Sequence, residues 1–180
     1  MHAFKHLTTL LVATSLLALA ACNPAPELDS EVLAQADIMN LRAPEATIMS
    51  SGQPTQEQFQ ILAESGVKHI INLRTPEEME WDEGALVRSL DMEYHSIPVA
   101  VSSGITRENA QALFELLEDL AGEPVVIHCA SGQRVGALIA LSAQQNEGMD
   151  AEAAMEEGRR WGLSSPRLTP VVSSILAETL

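Results

Sequence analysis

The stretch Pro124-Val125-Val126-Ile127-His128 is the most apolar strand-like run in the chain. It passes directly into Cys129-Ala130-Ser131-Gly132-Gln133-Arg134 and then into residues of helical period. A strand this apolar is buried on both faces, as in the centre of a parallel sheet. The loop after it then lies at the carboxyl end of a central strand, where open α/β sheets bind ligands. The helix behind it, expected from about Arg134 to Gln145, turns unpaired N–H groups and a positive dipole end toward the loop. Gly132 lets the backbone curl, so that successive N–H groups converge into an anion-binding nest.

Such a setting favours negative charge, either on a bound oxyanion or on the sulfur of Cys129. A thiolate is the nucleophilic form of cysteine, and a helix N-terminus with a neighbouring guanidinium stabilises it. Arg134 supplies a planar fork that can hold two oxygens of an anion. Ala130, Ser131, Gly132 and Gln133 complete the expected anion cradle, with Ser131 able to donate to the sulfur or a leaving group. His128 is expected to brace the loop by bonding its backbone. The plainer alternative makes Cys129 a core residue, Gly132 a turn and Arg134 a solvated cap.

Elsewhere strands and helices alternate. Thr47–Ser50 reads as a short edge strand. Thr55-Gln56-Glu57-Gln58 is a capping box opening a helix with Phe59, Leu62 and Ala63 on one face, ended by Gly66. Val67–Leu73 and Glu93–Pro98 read as strands, and the acidic stretch Pro76–Leu90 as helical in part. Thr106 caps a helix with the stripe Ala110, Leu113, Phe114, Leu117 and Leu120. Asp150 caps another helix, ending near Trp161-Gly162, and a last one runs from about Pro166 to Glu178. The alternation implies an α/β fold with a mostly parallel central sheet flanked by helices. Residues 47–180 are expected to form that domain. Trp81 and Trp161 read as packing or lip residues, and Glu77–Glu83 as a solvated acidic face or, alternatively, a lip near the site.

Residues 1–21 have the layout of an export signal, a weakly basic start followed by a short apolar run to Ala21. The run is too short and too diluted with Thr and Ser to span a bilayer comfortably. Leu19-Ala20-Ala21-Cys22 resembles a bacterial lipobox, which implies lipidation at Cys22. Asn23 in place of Asp implies no retention at the inner membrane. The expectation is a lipid-anchored protein on the periplasmic face of the outer membrane, with residues 22–46 as a tether carrying Pro24, Pro26 and Pro44 and a possible helix from Asp29 to Asn40. The chain has two cysteines, so lipidation would leave Cys129 alone, with no internal disulfide possible. Removing the signal takes away one of the ten Lys and Arg and none of the 25 acids, leaving a formal charge of −16. Such a field does not suit nucleic acid or an anionic membrane surface. The expected partners are a small anionic substrate and, through the lipid alone, a membrane. His69, His95 and His128 show no metal-ligand spacing in the sequence, so neither a metal nor another cofactor is expected.

The loop, with Ser51-Gly52-Gln53-Pro54, Ile71-Asn72-Leu73-Arg74 and Tyr94-His95-Ser96-Ile97-Pro98, resembles the phosphatase-like domain of bacterial β-lactamase-hydrolase-like proteins. That domain is similar to dual-specificity phosphatases of the protein tyrosine phosphatase superfamily. The resemblance covers about Thr47 to Leu163. It implies a cysteine-phosphatase fold, with Cys129 as nucleophile and Arg134 as phosphate clamp. Arg74, at a strand end, would be a second anion contact, its alternative being a surface salt bridge.

Two features depart from the common phosphatase pattern. Four residues separate Cys129 from Arg134 where the usual signature has five, and Val135 stands where a Ser or Thr commonly assists the leaving thiolate. The second is the general acid. The loop Val99–Gly104, where phosphatases place an Asp, holds no acid, and a missing acid commonly costs about 10²–10⁴-fold in rate. Asp91, Glu93 and Glu108 are the remaining candidates. The shortened loop also resembles that of rhodanese-like sulfurtransferases, whose chemistry needs a thiolate and anion binding but no acid for an alkoxide. A phosphate ester and a sulfane sulfur compound are thus the alternative substrates. A non-catalytic anion-binding envelope protein is a third reading.

Overall fold

The computed structural model describes residues 28–178. The expected export signal, and Cys22 with its expected lipidation, lie outside the described residues.

Four parallel strands form the sheet: β1 (Ile48–Ser51), β2 (His69–Asn72), β3 (Glu93–Ser96) and β4 (Val125–His128). Their order is β1-β4-β2-β3, so the last strand inserts between the first two and β4 is central, as its apolar sequence requires. The period-two alternation of strand side chains then creates two cores. Met49, Ile70 and Val126 point to one face, covered by α1 (Ser30–Ala34), α2 (Gln56–Glu64) and α3 (Glu83–Ser89). Ile71, Val125 and Ile127 point to the other, covered by α4 (Arg107–Asp119), α5 (Gln133–Glu147), α6 (Ala151–Arg160) and α7 (Leu168–Leu176). Phe59 and Leu62, the expected apolar face of α2, are fully buried. Each contributes about 1.5–3 kcal/mol relative to exposure.

The predicted caps form. Thr55 and Gln58 make the reciprocal capping box, and Thr106 and Asp150 accept from the third backbone N–H of α4 and α6. α5 crosses α6 at Gly136 and Gly158. A Cβ on Gly158 would lie 2.7 Å from the Gly136 carbonyl oxygen, so the backbones meet where only glycine fits.

Two expectations at the N-terminal side need correction. The helix expected from Asp29 to Asn40 stops at Ala34, because Asp37 and Asn40 take left-handed backbone angles that end a helix. The segment expected as a tether instead packs on the domain from Leu28 onward. Ala36 and Ile38 are buried against the α2 face, and the Met39 carbonyl accepts from Gly52 N–H at 2.8 Å. No helix among the described residues is long and apolar enough to cross a membrane.

Candidate active site

β4 delivers Cys129 to the carboxyl edge of the sheet. The neighbouring strands β1 and β2 lead to helices on one face, while β4 leads to α5 on the other, so the loop occupies a topological switch point. Gly132 adopts φ +81° and forms the N-cap of α5. No side chain caps this helix, which leaves its first-turn N–H groups facing the loop.

The loop is braced from outside by the Ser51-Gly52-Gln53 turn. Cys129 N–H donates to the Ser51 carbonyl at 3.4 Å, and Gln53 N–H to the Ala130 carbonyl at 3.3 Å. Asn40 Nδ2 donates to the Ser131 carbonyl at 3.1 Å. Gln133, expected in the anion cradle, turns its side chain away. Its Oε1 accepts from the N–H groups of Ser164 and Ser165 at 2.7 Å each, so only its backbone is left to the cradle.

Arg134 is buried in the first turn of α5 and is the best-held cation among the described residues. Its Nη1 donates to the Val99 carbonyl at 2.7 Å. Nη1 and Nη2 also form a bidentate pair with Glu78, at 2.7 and 2.8 Å. Burial opposes its charge, but the bond to Glu78 and the proximity of Cys129 raise its pKa above the ordinary value. The same bond to Arg134 holds the Glu78 carboxyl below the usual carboxylate range. Glu78 ends the single 3₁₀ turn Pro76–Glu78, inside the stretch expected as a solvated acidic face. Glu77 and Glu80 are indeed exposed, but Glu78 and Glu83 point inward.

Glu83 is fully buried and bonds His128 Nε2 at 2.8 Å. This corrects the expected role of His128: its ring bonds a carboxylate and stacks edge-on with Phe59, and its Nδ1 has no partner. Gln53 Nε2 donates to the other Glu83 oxygen at 2.5 Å, and Arg74 Nη1 donates to Gln53 Oε1 at 2.6 Å. Arg74 Nη2 also donates to the Glu78 carbonyl. Arg74 forms no salt bridge among the described residues, and its Nε is buried without a partner. It ties the Ser51–Pro54 turn to the segment bearing Glu78.

The acid candidates divide clearly. Asp91 and Glu93 line a depression with Lys68 and His69 at the opposite end of the strands. Glu108 is exposed, and bonds from its own backbone N–H and from Thr106 lower its pKa, the wrong direction for a proton donor. Val135 is buried in the core and offers no hydroxyl. Sequence reasoning missed Glu78, Glu83 and Gln53, because each acts through partners distant in the chain.

Comparison with known proteins identifies the family and the fold. A model of the family described as DSP-PTPase phosphatase fused to NAD+ Kinase matches residues 26–168. The Beta-lactamase hydrolase-like protein of Xylella fastidiosa, in strains Temecula1 and 9a5c, is 35% identical over 97 residues. That match covers 51% of this chain but only 22% of the relative's length. Among solved structures, a candidate phosphatase of the DUF442 type from Shewanella putrefaciens CN-32 is 27% identical with a TM-score of 0.62, covering 82% of this chain and 96% of that one. P. aeruginosa TpbA in complex with pTyr superposes with a TM-score of 0.63 at 18% identity, covering 88% of this chain and 92% of that one. At that identity the likeness shows the fold alone.

Proposed function

The chain belongs to the family described as DSP-PTPase phosphatase fused to NAD+ Kinase, and we propose that it is a cysteine-dependent phosphatase acting on small phosphate esters through Cys129 and Arg134. The observation that carries this reading is the guanidinium of Arg134. It is buried, fixed by Val99 and Glu78, and set in the first turn of the helix that follows Cys129. A clamp oriented before substrate arrives costs no reorganisation when charge develops on the phosphoryl oxygens.

In the proposed reaction the Cys129 thiolate attacks phosphorus in line with the ester oxygen. The P–O bond breaks, its electron pair leaves with the alcohol or phenol oxygen, and a phosphocysteine remains. Water then attacks phosphorus and returns the thiolate and inorganic phosphate. The nest of first-turn N–H groups and Arg134 hold the phosphoryl oxygens in both steps. No acid stands in the Val99–Gly104 loop, so the leaving oxygen departs with little help from the protein. Aryl esters, whose phenolates leave readily, are accordingly the better substrates. The pTyr bound by TpbA is such an ester.

The test is turnover of an aryl phosphate by the purified protein, with mass analysis of Cys129. Expected are phosphate release, a phosphocysteine after rapid acid quench, and loss of both in Cys129→Ser. Arg134→Lys keeps the charge but loses the fork, and is expected to lower kcat/KM by at least about 100-fold. A parallel incubation with thiosulfate addresses sulfur transfer, which none of the relatives named above supports. Stable addition of one sulfur to Cys129 without phosphoester turnover would overturn the phosphatase reading. The matching proposal for location is lipid anchorage at Cys22 on the periplasmic side.

A further inference from the structure

Away from the loop, three side chains converge at the other end of the sheet. β2 and β3 pair in register with His69 opposite Glu93 and Ile71 opposite His95. Side chains two apart share a face. His69, Glu93 and His95 therefore all project to the α4 side, whereas His128 and Asn72 project to the opposite side. His69 also stands five residues before Arg74 along the strand, roughly 16 Å from the edge that carries the loop.

His69 Nδ1 and His95 Nε2 lie 3.3 Å apart. Glu93 Oε2 lies 3.7 Å from the first and 3.9 Å from the second. Those two separations are too long for hydrogen bonds, so the carboxylate satisfies neither ring. At most one proton can sit between the two ring nitrogens. The three donor atoms instead surround a common point, about 2.1 Å from each by the geometry of that triangle, close to the 2.0–2.2 Å bonds that zinc makes to His and Glu.

From this arrangement we propose that His69, Glu93 and His95 form a binding site for a divalent transition-metal ion of the zinc class, separate from the phosphatase loop. Two imidazoles and one carboxylate suit zinc, copper or nickel and do not suit calcium or magnesium. Three protein ligands leave at least one coordination position for water or a small ligand. The two histidines ride on hydrogen-bonded strands and are held in place, while Glu93, with its side chain 73% exposed, can close by the few tenths of an ångström that a tetrahedral ion asks. Asp91, Asp119 and Glu123 border the same depression and outnumber Lys68, so the local field favours a cation. The bound ion would clip the edge strand β3 to β2.

The test is titration of Zn2+ into the purified protein carrying Cys22→Ser and Cys129→Ser, which removes thiol ligands, against a chromophoric chelator. One equivalent is expected to bind, and the melting temperature is expected to rise with Zn2+ concentration. In the same background His95→Ala is expected to weaken binding by at least about 100-fold and Glu93→Gln by about tenfold. Both side chains are partly or well exposed, and circular dichroism checks that each variant folds. Cu2+ should bind at least as tightly as Zn2+, and Ca2+ and Mg2+ far more weakly. The proposal is overturned if the thiol-free protein binds no stoichiometric Zn2+, if binding survives both substitutions, or if Ca2+ or Mg2+ binds equally well.

Discussion

The chain of hydrogen bonds behind the loop has a direction, and Glu83→Gln reads it out. Arg74 can only donate, so the oxygen of the Gln53 amide must face it. The Gln53 nitrogen must then face Glu83, where it also meets the Pro54 carbonyl at 3.2 Å. Glu83 therefore receives two donors, Gln53 on one oxygen and His128 on the other, and an ionised carboxylate accepts both. An amide at position 83 can accept only one. Either two N–H groups collide, or His128 changes tautomer and buries an unpaired Nδ1–H. Leaving one buried polar group unsatisfied costs about 1–3 kcal/mol. At about 2–4 °C per kcal/mol for a domain of this length, the melting temperature should fall by roughly 2–12 °C. The reciprocal swap, Gln53→Glu with Glu83→Gln, restores the order of donors and acceptors: Arg74 to Glu, the new amide nitrogen to Glu, and His128 to the amide oxygen. Urea denaturation of both single variants and the double variant gives the coupling energy, and the swap should recover at least half the loss. A Glu83→Gln protein as stable as the parent, or a swap no better than the sum of its parts, would refute the directional network.

Acidification should act through Glu78. Its folded pKa lies below the ordinary 4.5, so its contribution is complete above that value and is lost as pH falls through the lower folded value. Stability measured against pH should show a flatter acid limb in Glu78→Gln, and turnover by that variant should fall as Arg134 loses its bidentate partner. Gly136→Ala would drive a Cβ into the Gly158 carbonyl oxygen and within 2.6 Å of Leu163 N, costing about 1–3 kcal/mol in urea denaturation. Cys22→Ala should move the protein from the membrane to the soluble fraction on cell fractionation, and unchanged association would sink the lipid-anchor proposal.

Features set by neighbouring residues were legible in the sequence. The caps at Thr55, Thr106 and Asp150 are local hydrogen bonds, and β4 announces its central position by having no polar face until His128. The loop was legible because the strand, glycine and arginine that shape it are contiguous. The partners of its charges were not. Glu78 lies 56 residues from Arg134, and Glu83 lies 45 from His128. Within a run of seven residues carrying five acids, composition alone does not tell the two inward carboxylates from those facing water. The His69, Glu93 and His95 grouping was hidden for a related reason. Its spacing exists only across the register of β2 and β3, which no single strand encodes.

The side chain of Gln133 has a consequence for where the working unit ends. The short loop leaves this residue free to hold the N–H groups of Ser164 and Ser165, which lie in the turn between α6 and α7. A fragment stopping at Gly162 would retain all four strands, Cys129 and Arg134, yet would strip the loop of this anchor. The smallest autonomous piece that keeps the loop anchored must therefore run past Ser165. Because Leu168, Val172 and Leu176 fill the same core, it must continue through α7.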